Sequence, residues 1–336
     1  MKSSLKSYRY AKTVLWGLLA LLLVLTLSAA NLGALKLSFA TLWHASADDV
    51  VWDIWLNIRL PRVLLAAVVG CALATSGAVM QGLFRNPLAD PGLLGLSSGA
   101  AMFVGLAIVF PYALGLYGHM VAAFLGSLAV SIIIFLLSRS SHGTMSRLLL
   151  AGIAINALCG SAVGILSYVG DDQQLRQLSV WMMGSLGQAQ WSTLAIAASV
   201  IVPVTLLTLL SASRLNLLQL GDEEAHYLGV NVHQIKIRLL VLSALLVGVC
   251  VAVSGIIGFI GLVIPHLIRM RIGADHRWLL PGAALGGACL LLLADTIART
   301  AAAPSEMPVG LITSLIGGPY FLWLIVKPKG GTHAGG

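Results

Sequence analysis

An all-α, polytopic membrane protein with about ten transmembrane helices is what this sequence predicts, and three observations carry the prediction. Apolar residues make up 58% of the 336 and charged residues only 10%, against about 25% charged in a soluble domain. The apolar residues fall in long unbroken runs, not in the alternating segments of about ten residues that build a membrane barrel. A span needs roughly 20 apolar residues, so a chain of this length has room for about ten with their connections.

Taken in order, the first run covers 13–35 and follows Lys2, Lys6, Arg9 and Lys12. Ser28, Ala29 and Ala30 could mimic a signal-peptidase site, but the run is long and reads as a retained span. Residues 36–53 form a polar connection, and Trp43, Trp52 and Trp55 suit a membrane interface. Further spans are expected at 60–83, 93–112, 114–137, 148–169, 191–210, 235–257, 259–270, 278–297 and 309–326. The eighth is short and contains Pro265. Between the fifth and sixth, 173–190 holds Trp181, Met182, Met183 and Gly184 and reads as a short interfacial helix.

Charge sets the orientation. With the amino terminus inside and ten spans, 15 of the 20 Lys and Arg residues lie inside, and Lys36, Arg59, Arg62, Arg176 and Arg299 lie outside. That obeys the positive-inside rule and makes both termini cytoplasmic. The net charge of +8 therefore belongs to topology, not to nucleic-acid binding. Cys71, Cys159, Cys250 and Cys289 all sit inside apolar runs, without metal spacing, and read as small packing residues.

One internal echo stands out. Val69, Gly70, Ala74, Ser76 and Gly77 recur 178 residues later as Val247, Gly248, Ala252, Ser254 and Gly255, and Pro87 recurs as Pro265. Five spans separate the copies, so they cross in opposite senses: an inverted repeat of spans 2–5 and 7–10, a transporter habit. The pairs Gly95 and Gly99, Gly160 and Gly164, and Gly282 and Gly286 have helix-packing spacing.

The most charged stretch is 214–238. Asp222, Glu223 and Glu224 are consecutive in a chain with only 12 acidic residues, and Arg214, Lys236 and Arg238 flank them. Each charge costs about 2.5–3.5 kcal/mol at mid-bilayer, so the stretch faces water. Asp222 suits an N-cap, Glu223 and Glu224 the positive end of a short helix, and Gly229 its stop. Ala225, Tyr227, Leu228 and Val230 give that helix an apolar side. A capped, partly apolar helix between two spans reads as a docking peg; an ordinary solvated loop is the plain alternative.

Other motifs are weaker. Residues 85–92 (RNPLADPG) make a cytoplasmic turn in which Asp90 caps the third helix, with Pro91 at its first position. Arg59 and Arg62 open the second span on the outer side, and Asp295 and Arg299 end the ninth there. Arginines at span ends snorkel to the surface or meet an acidic partner. Residues 95–99 match G-x-S-x-G, but within a membrane helix and without the strand that a nucleophile elbow needs. No G-x-x-x-x-G-K-[ST] occurs, so any ATP must be bound by another subunit.

Together these stretches resemble the permease family of bacterial type II ABC importers for ferric siderophores, haem and vitamin B12, and within it the haem permeases of Gram-negative bacteria. The matching segments are 59–62 (RLPR), the 85–92 turn, 146–152 (SRLLLAG), 181–186 (WMMGSL), 221–225 (GDEEA), 261–266 (GLVIPH), 275–277 (DHR), 293–299 (LADTIAR), 306–310 (EMPVG) and 317–319 (GGP). The resemblance implies an inner-membrane homodimer, two cytoplasmic ATPase subunits carrying ATP and magnesium, and a periplasmic substrate-binding protein. The permease itself is then not an enzyme and holds no cofactor, and haem is its transported substrate. The resemblance makes Gly221, Asp222, Glu223, Glu224, Ala225, Leu228 and Gly229 the ATPase-coupling helix (221–229). It makes Arg59, Arg62 and Arg299 the binding-protein docking residues, and Asn86, Leu88, Met145 and Ser146 the cytoplasmic gate. The same machinery for a siderophore or vitamin B12 is the near alternative. An ion-gradient-driven transporter, using Asp295 as its intramembrane carboxylate, is the distant one. His119 and Met120, or Met182 and Met183, are side chains able to touch haem iron, though interfacial or core packing is the simpler account of each.

Overall fold

Wherever the chain enters lipid its backbone has no water to bond, so each apolar run closes its hydrogen bonds on itself as a helix. A computed structural model describes residues 2–33, 50–110, 115–140 and 145–326, and among these there is no strand. The first helix, α1, is Lys2–Asn31. A short helix at Val50–Asp53 and a π-helical turn at Ile54–Arg59 run directly into α2, Leu60–Leu83. Pro61 lies in the first turn of α2, where its missing N–H leaves no bond unmade. After a 3-10 turn at Pro91–Leu94 come α3 (Leu96–Val109), α4 (Leu116–Ser140), α5 (Met145–Val169), α6 (Asp172–Met182) and α7 (Trp191–Leu209). Two short helices follow, α8 (Ala212–Leu218) and α9 (Asp222–Tyr227). The chain then forms α10 (Val232–Ser254), α11 (Ile260–Ile272), α12 (His276–Thr300) and α13 (Val309–Val326).

Among the described residues, seven helices are long and apolar enough to cross a membrane: those containing Tyr8–Asn31, Val50–Leu83, Tyr117–Leu137, Arg147–Val169, Trp191–Leu209, Val232–Ser254 and His276–Thr300. Leu96–Val109 and Val309–Trp323 are apolar but shorter. The 13-residue α11 lies in the stretch expected as the eighth span.

Local chemistry moves several boundaries. Asp90 does cap, accepting the Gly92 N–H at 2.7 Å, but what it caps is the 3-10 turn. Gly95, at φ +82°, separates that turn from α3, which starts at Leu96. Gly255, at φ +68°, stops α10 at Ser254, short of the expected 257. The echoed pairs therefore differ in role: Ser76 and Gly77 lie inside α2, whereas Ser254 and Gly255 end α10. Asp275 caps α12, accepting the Arg277 N–H, and starts that helix at His276. The helix α8 falls in a stretch that the sequence reading treats as connection.

The core is built on α2. It packs most extensively on α12 and also meets α7, α10 and α11. The apolar window of α2 is 78% buried, against 11% for α1 and 22% for α5, which therefore face outward. Contact with α12 and α11 is backbone to backbone. A Cβ on Gly70 would lie 2.3 Å from the Gly287 carbonyl oxygen, and one on Gly77 only 1.9 Å from that of Gly261. Of the pairs marked by spacing, Gly99 meets the backbone of Gly126, and Gly282 and Gly286 receive Ile268 and Ile264, while Gly160 and Gly164 face open space. Valine at position 77 must push α11 away from α2, whereas valine at Gly17, which has nothing within 4 Å, displaces nothing. Overpacking costs about 1–3 kcal/mol even where side chains can yield, and carbonyls yield less. Gly77→Val is expected to lower the thermal midpoint and the monodisperse fraction in detergent, with Gly17→Val unchanged in both.

Candidate functional site

Both ends of α2 carry an arginine, and each organises a cluster. Beyond its carboxyl end the chain turns at Phe84 and Arg85, with Arg85 in the left-handed region at φ +48°. That conformation is unusual for a side-chain-bearing residue. From it Arg85 Nη2 donates to Asp222 Oδ1 at 2.7 Å, and Lys236 Nζ donates to the other oxygen of the same carboxylate. Asp222 is thus the first helical residue of α9, and the N-cap is Gly221, at φ +145°. This corrects the expected capping role: the carboxylate that suits a cap is taken by two cations. Glu224 folds back over Gly221, where a Cβ would lie 1.6 Å from Glu224 Oε2. Three acids at the amino end complement the helix dipole.

At its other end α9 closes with the Val230 N–H donating to the Ala225 carbonyl and the Gly229 N–H to that of His226, with Gly229 at φ +83°. Ala225 is fully buried and fixes the helix to the body. Tyr227 is 86% exposed, Leu228 58%, and Glu223 and Glu224 also face out. The result is a short peg with an apolar and acidic tip, seated on α8 and α10. Since the Asp222 pairs are half-exposed, each is worth about 0–1 kcal/mol; they orient the peg more than they stabilise it.

Asn86 and Leu88 are exposed in the same turn, where Asn86 Oδ1 accepts the Leu88 N–H at 2.9 Å. Met145 and Ser146 begin α5, but their side chains lie outside the described residues. A knot that the sequence reading missed joins α8 to α12. Asn216 Nδ2 donates to Asp275 Oδ1 at 2.6 Å, and Asn216 Oδ1 accepts the His276 N–H at 2.8 Å. Gln219 Nε2 ties α8 to the Gly82 carbonyl at 2.7 Å. The hydrogen-bonded Arg277 guanidinium holds the Asp275 carboxyl down at about 2; partial burial opposes it, and the Arg277 N–H and Asn216 assist.

At the opposite end of α2 the three arginines expected to dock a binding protein are inside the protein. Arg59, Arg62 and Arg299 are 5%, 7% and 5% exposed. Arg62 donates from Nε (3.1 and 3.2 Å) and Nη2 (2.9 Å) to the fully buried Asp295, and from Nη1 to Glu306 at 2.8 and 3.0 Å. Arg299 Nε stands 3.5 Å from Asp295 Oδ2, and its Nη2 donates to the Ala29 carbonyl at 2.6 Å. Arg59 Nη1 donates to the Asn31 carbonyl at 2.7 Å. Glu306, whose side chain is 52% exposed, is the face that this cluster shows to solvent. The snorkelling arginines expected from sequence are instead a tertiary joint between α1, α2 and α12, and direct contact with a partner requires Arg62 to exchange a carboxylate it already holds. Asp295 likewise has no vacancy as an ion-gradient carboxylate.

Also at the Arg62 end, a cavity of about 740 Å³ opens between the end of α3, the start of α4, α6 and the end of α10. His119, Met120 and Trp181 line it, whereas Met182 and Met183, at the carboxyl end of α6, are each more than a third exposed. Among the described residues no cluster of three or more His, Cys, Asp or Glu could hold a metal ion, and the four cysteines are unpaired.

The helical, multi-pass fold, with an ion cluster at each end of its central helix, is that of a transport permease. More closely, the chain belongs to the FecCD transport family, whose profile matches residues 20–327. It is 73% identical over 316 residues to the hemin transport system permease protein HmuU of Yersinia pestis, covering 93% of this chain and 95% of that one. It is 42% identical to the vitamin B12 import system permease protein BtuC of Vibrio cholerae, over 88% of each chain. A solved structure described as an inward-facing conformation of a metal-chelate type ABC transporter matches with a TM-score of 0.86 and 36% identity, over 94% of this chain and 99% of that one.

The Asp275 charge is testable on its own, because asparagine can still cap α12. A carboxyl depressed in the folded state contributes stability above its unfolded pKa near 3.9 and loses it as pH falls towards about 2. Discounted for partial exposure, the contribution is about 1–2 kcal/mol. Asp275→Asn is expected to unfold at lower temperature than the wild type at pH 7 in detergent, with the gap closing between about pH 4 and pH 2.

Proposed function

We propose that this chain is the permease of an ATP-driven importer that carries haem from the periplasm to the cytoplasm by alternating access. One observation carries the cargo: identity to the hemin permease is 73%, against 42% to the vitamin B12 permease. The bacterial inner membrane and two cytoplasmic termini agree with the positive-inside count, which puts Arg85 and α9 inside and Arg62 outside.

In this reading α9 is the coupling helix. Glu224, Leu228 and the neighbouring Tyr227 present the tip, and Ala225 anchors it. Two ATPase subunits hold ATP and magnesium, since this chain has no phosphate-binding loop. Inverting a 1:99 population of inward and outward states takes about 5.5 kcal/mol of differential binding. A surface ion pair supplies about 0–1 kcal/mol, so the drive enters through a whole docked interface. The Arg85–Asp222 pair then passes movement of α9 to the 85–90 turn, where Asn86 and Leu88 stand, with Met145 and Ser146 completing the gate.

At the other end an acidic binding protein meets Arg62 where Glu306 holds it, with Arg59 and Arg299 behind. A homodimer is supported by the open face of α5, where Gly160 and Gly164 have no neighbour within 4 Å and Leu158 and Tyr168 are exposed. Small residues in lipid invite close helix approach.

Replacing Glu224 and Leu228 together by alanine tests the coupling. Haem-stimulated ATP hydrolysis and uptake in proteoliposomes are expected to fall about tenfold or more, the scale of one interface hot spot, while insertion and thermal midpoint stay as in the wild type. Normal uptake by the double variant would remove the coupling role from α9.

A further inference from the structure

The cavity beside α6 has features that packing leaves unexplained. Its volume, about 740 Å³, falls within the roughly 300–1,000 Å³ of small-molecule sites. One part of its wall is apolar, with Met120, Val180 and Trp181; another is polar, with His119, Arg176 and Gln177. Arg176 and Gln177 lie on α6, an amphipathic helix held by a reciprocal capping box at Asp171 and Gln174. Among the described residues Arg176 takes part in no ion pair, and the His119 ring makes no hydrogen bond. A cation and an imidazole without partners thus share a large, half-apolar chamber.

The chamber also adjoins the outer ion cluster. The Ser185 N–H donates to the Ser254 carbonyl at 2.8 Å, which sets the 185–187 segment against the end of α10. Ser185 lines the cavity, and two residues on, a Cβ at Gly187 would lie 3.2 Å from Glu306 Oε2. A ligand released by a partner seated on Glu306 and Arg62 would arrive next to this opening. Gly255 and Trp181, both in the cavity wall, pack backbone to backbone, because a Cβ on Gly255 would meet the Trp181 carbonyl oxygen at 2.3 Å.

Resting on the haem reading above, we propose that this cavity is a transit site for an iron porphyrin, with His119 reaching the iron and Arg176 a carboxylate of the porphyrin edge. Imidazole is a common axial ligand of haem iron, and a guanidinium pairs with a carboxylate through two parallel hydrogen bonds. Met120, Val180 and Trp181 supply apolar surface for the ring. A single axial ligand and a single cation suit a path, because a transported species must bind well enough to enter and weakly enough to leave.

The test titrates ferric protoporphyrin and metal-free protoporphyrin into the permease complex in nanodiscs, with empty nanodiscs subtracted to remove porphyrin dissolved in lipid. Wild type is expected to give a saturable Soret band of a histidine-ligated haem. His119→Ala should lose that band and bind ferric porphyrin about tenfold more weakly, yet bind the metal-free ring as the wild type does, which also shows that the variant is folded. Arg176→Gln should weaken both ligands about tenfold, as expected for one lost charge-assisted pair. Variants that titrate like the wild type, or a wild type that binds no more than empty discs, overturn the site. ATP-driven uptake of haem from the binding protein, measured on the same preparations, separates the two readings. Uptake with variant-insensitive binding removes the cavity and leaves the transporter; the expected titrations without any uptake remove haem import and leave the site.

Discussion

Where α2 lies against α12 and α11, backbone touches backbone, and the arrangement at both ends of the molecule follows from that contact. Inside lipid no hydrophobic force pulls helices together, so attraction must come from close packing. Gly70 with Gly287, and Gly77 with Gly261, let the axes approach until only carbonyls limit them. The 24 residues of α2 rise roughly 36 Å, enough to cross about 30 Å of hydrocarbon. One straight element therefore places Arg62 at one surface and delivers Arg85 to the other.

The two arginines live in different dielectric settings, and their partners suit that difference. Arg62 is buried with Asp295 beneath a rim formed by Glu306. Loss of one partner from such a pair costs about 3–5 kcal/mol, because the survivor is left charged and dry. Arg85 meets Asp222 in solvent, where a pair is worth about 0–1 kcal/mol and breaks readily. A rigid joint at the Arg62 end and a yielding one at the Arg85 end suit the proposed gate, worked from the Arg85 side. Helices α5 and α13 keep much of their surface open, which leaves room for the proposed homodimer contact.

Much of this was legible in the chain. The limits of α2 read directly as 60–83, because Arg59 and Arg62 mark one end and the Arg85 turn marks the other. The peg at 222–227 was visible as three acids before a glycine. What stayed hidden is tertiary. Arg62 and Asp295 are 233 residues apart, and no local pattern announces that a guanidinium at a span end turns inward. The sequence shows Asp222 as a good cap, but not that Arg85 and Lys236 would take its carboxylate. Stretch 212–218 reads as connection because its arginine and asparagine mask two helical turns, which buried Leu215 and Leu218 and the bonds of Asn216 and Gln219 to α12 and α2 hold in place. Spacing marked Gly160 and Gly164 for packing, yet it cannot say whether the partner is the same chain. The cavity beside α6 depends on four separated segments and has no sequence signature at all.

The account rests on this chain being a path that other subunits power. Haem accumulation is best measured in proteoliposomes holding either the chain alone or the chain with its ATPase and binding protein, under ATP or an imposed ion gradient. Accumulation is expected only in the complete assembly with ATP, and unaltered by the gradient. Uphill haem accumulation by the chain alone, driven by an ion gradient, would contradict it.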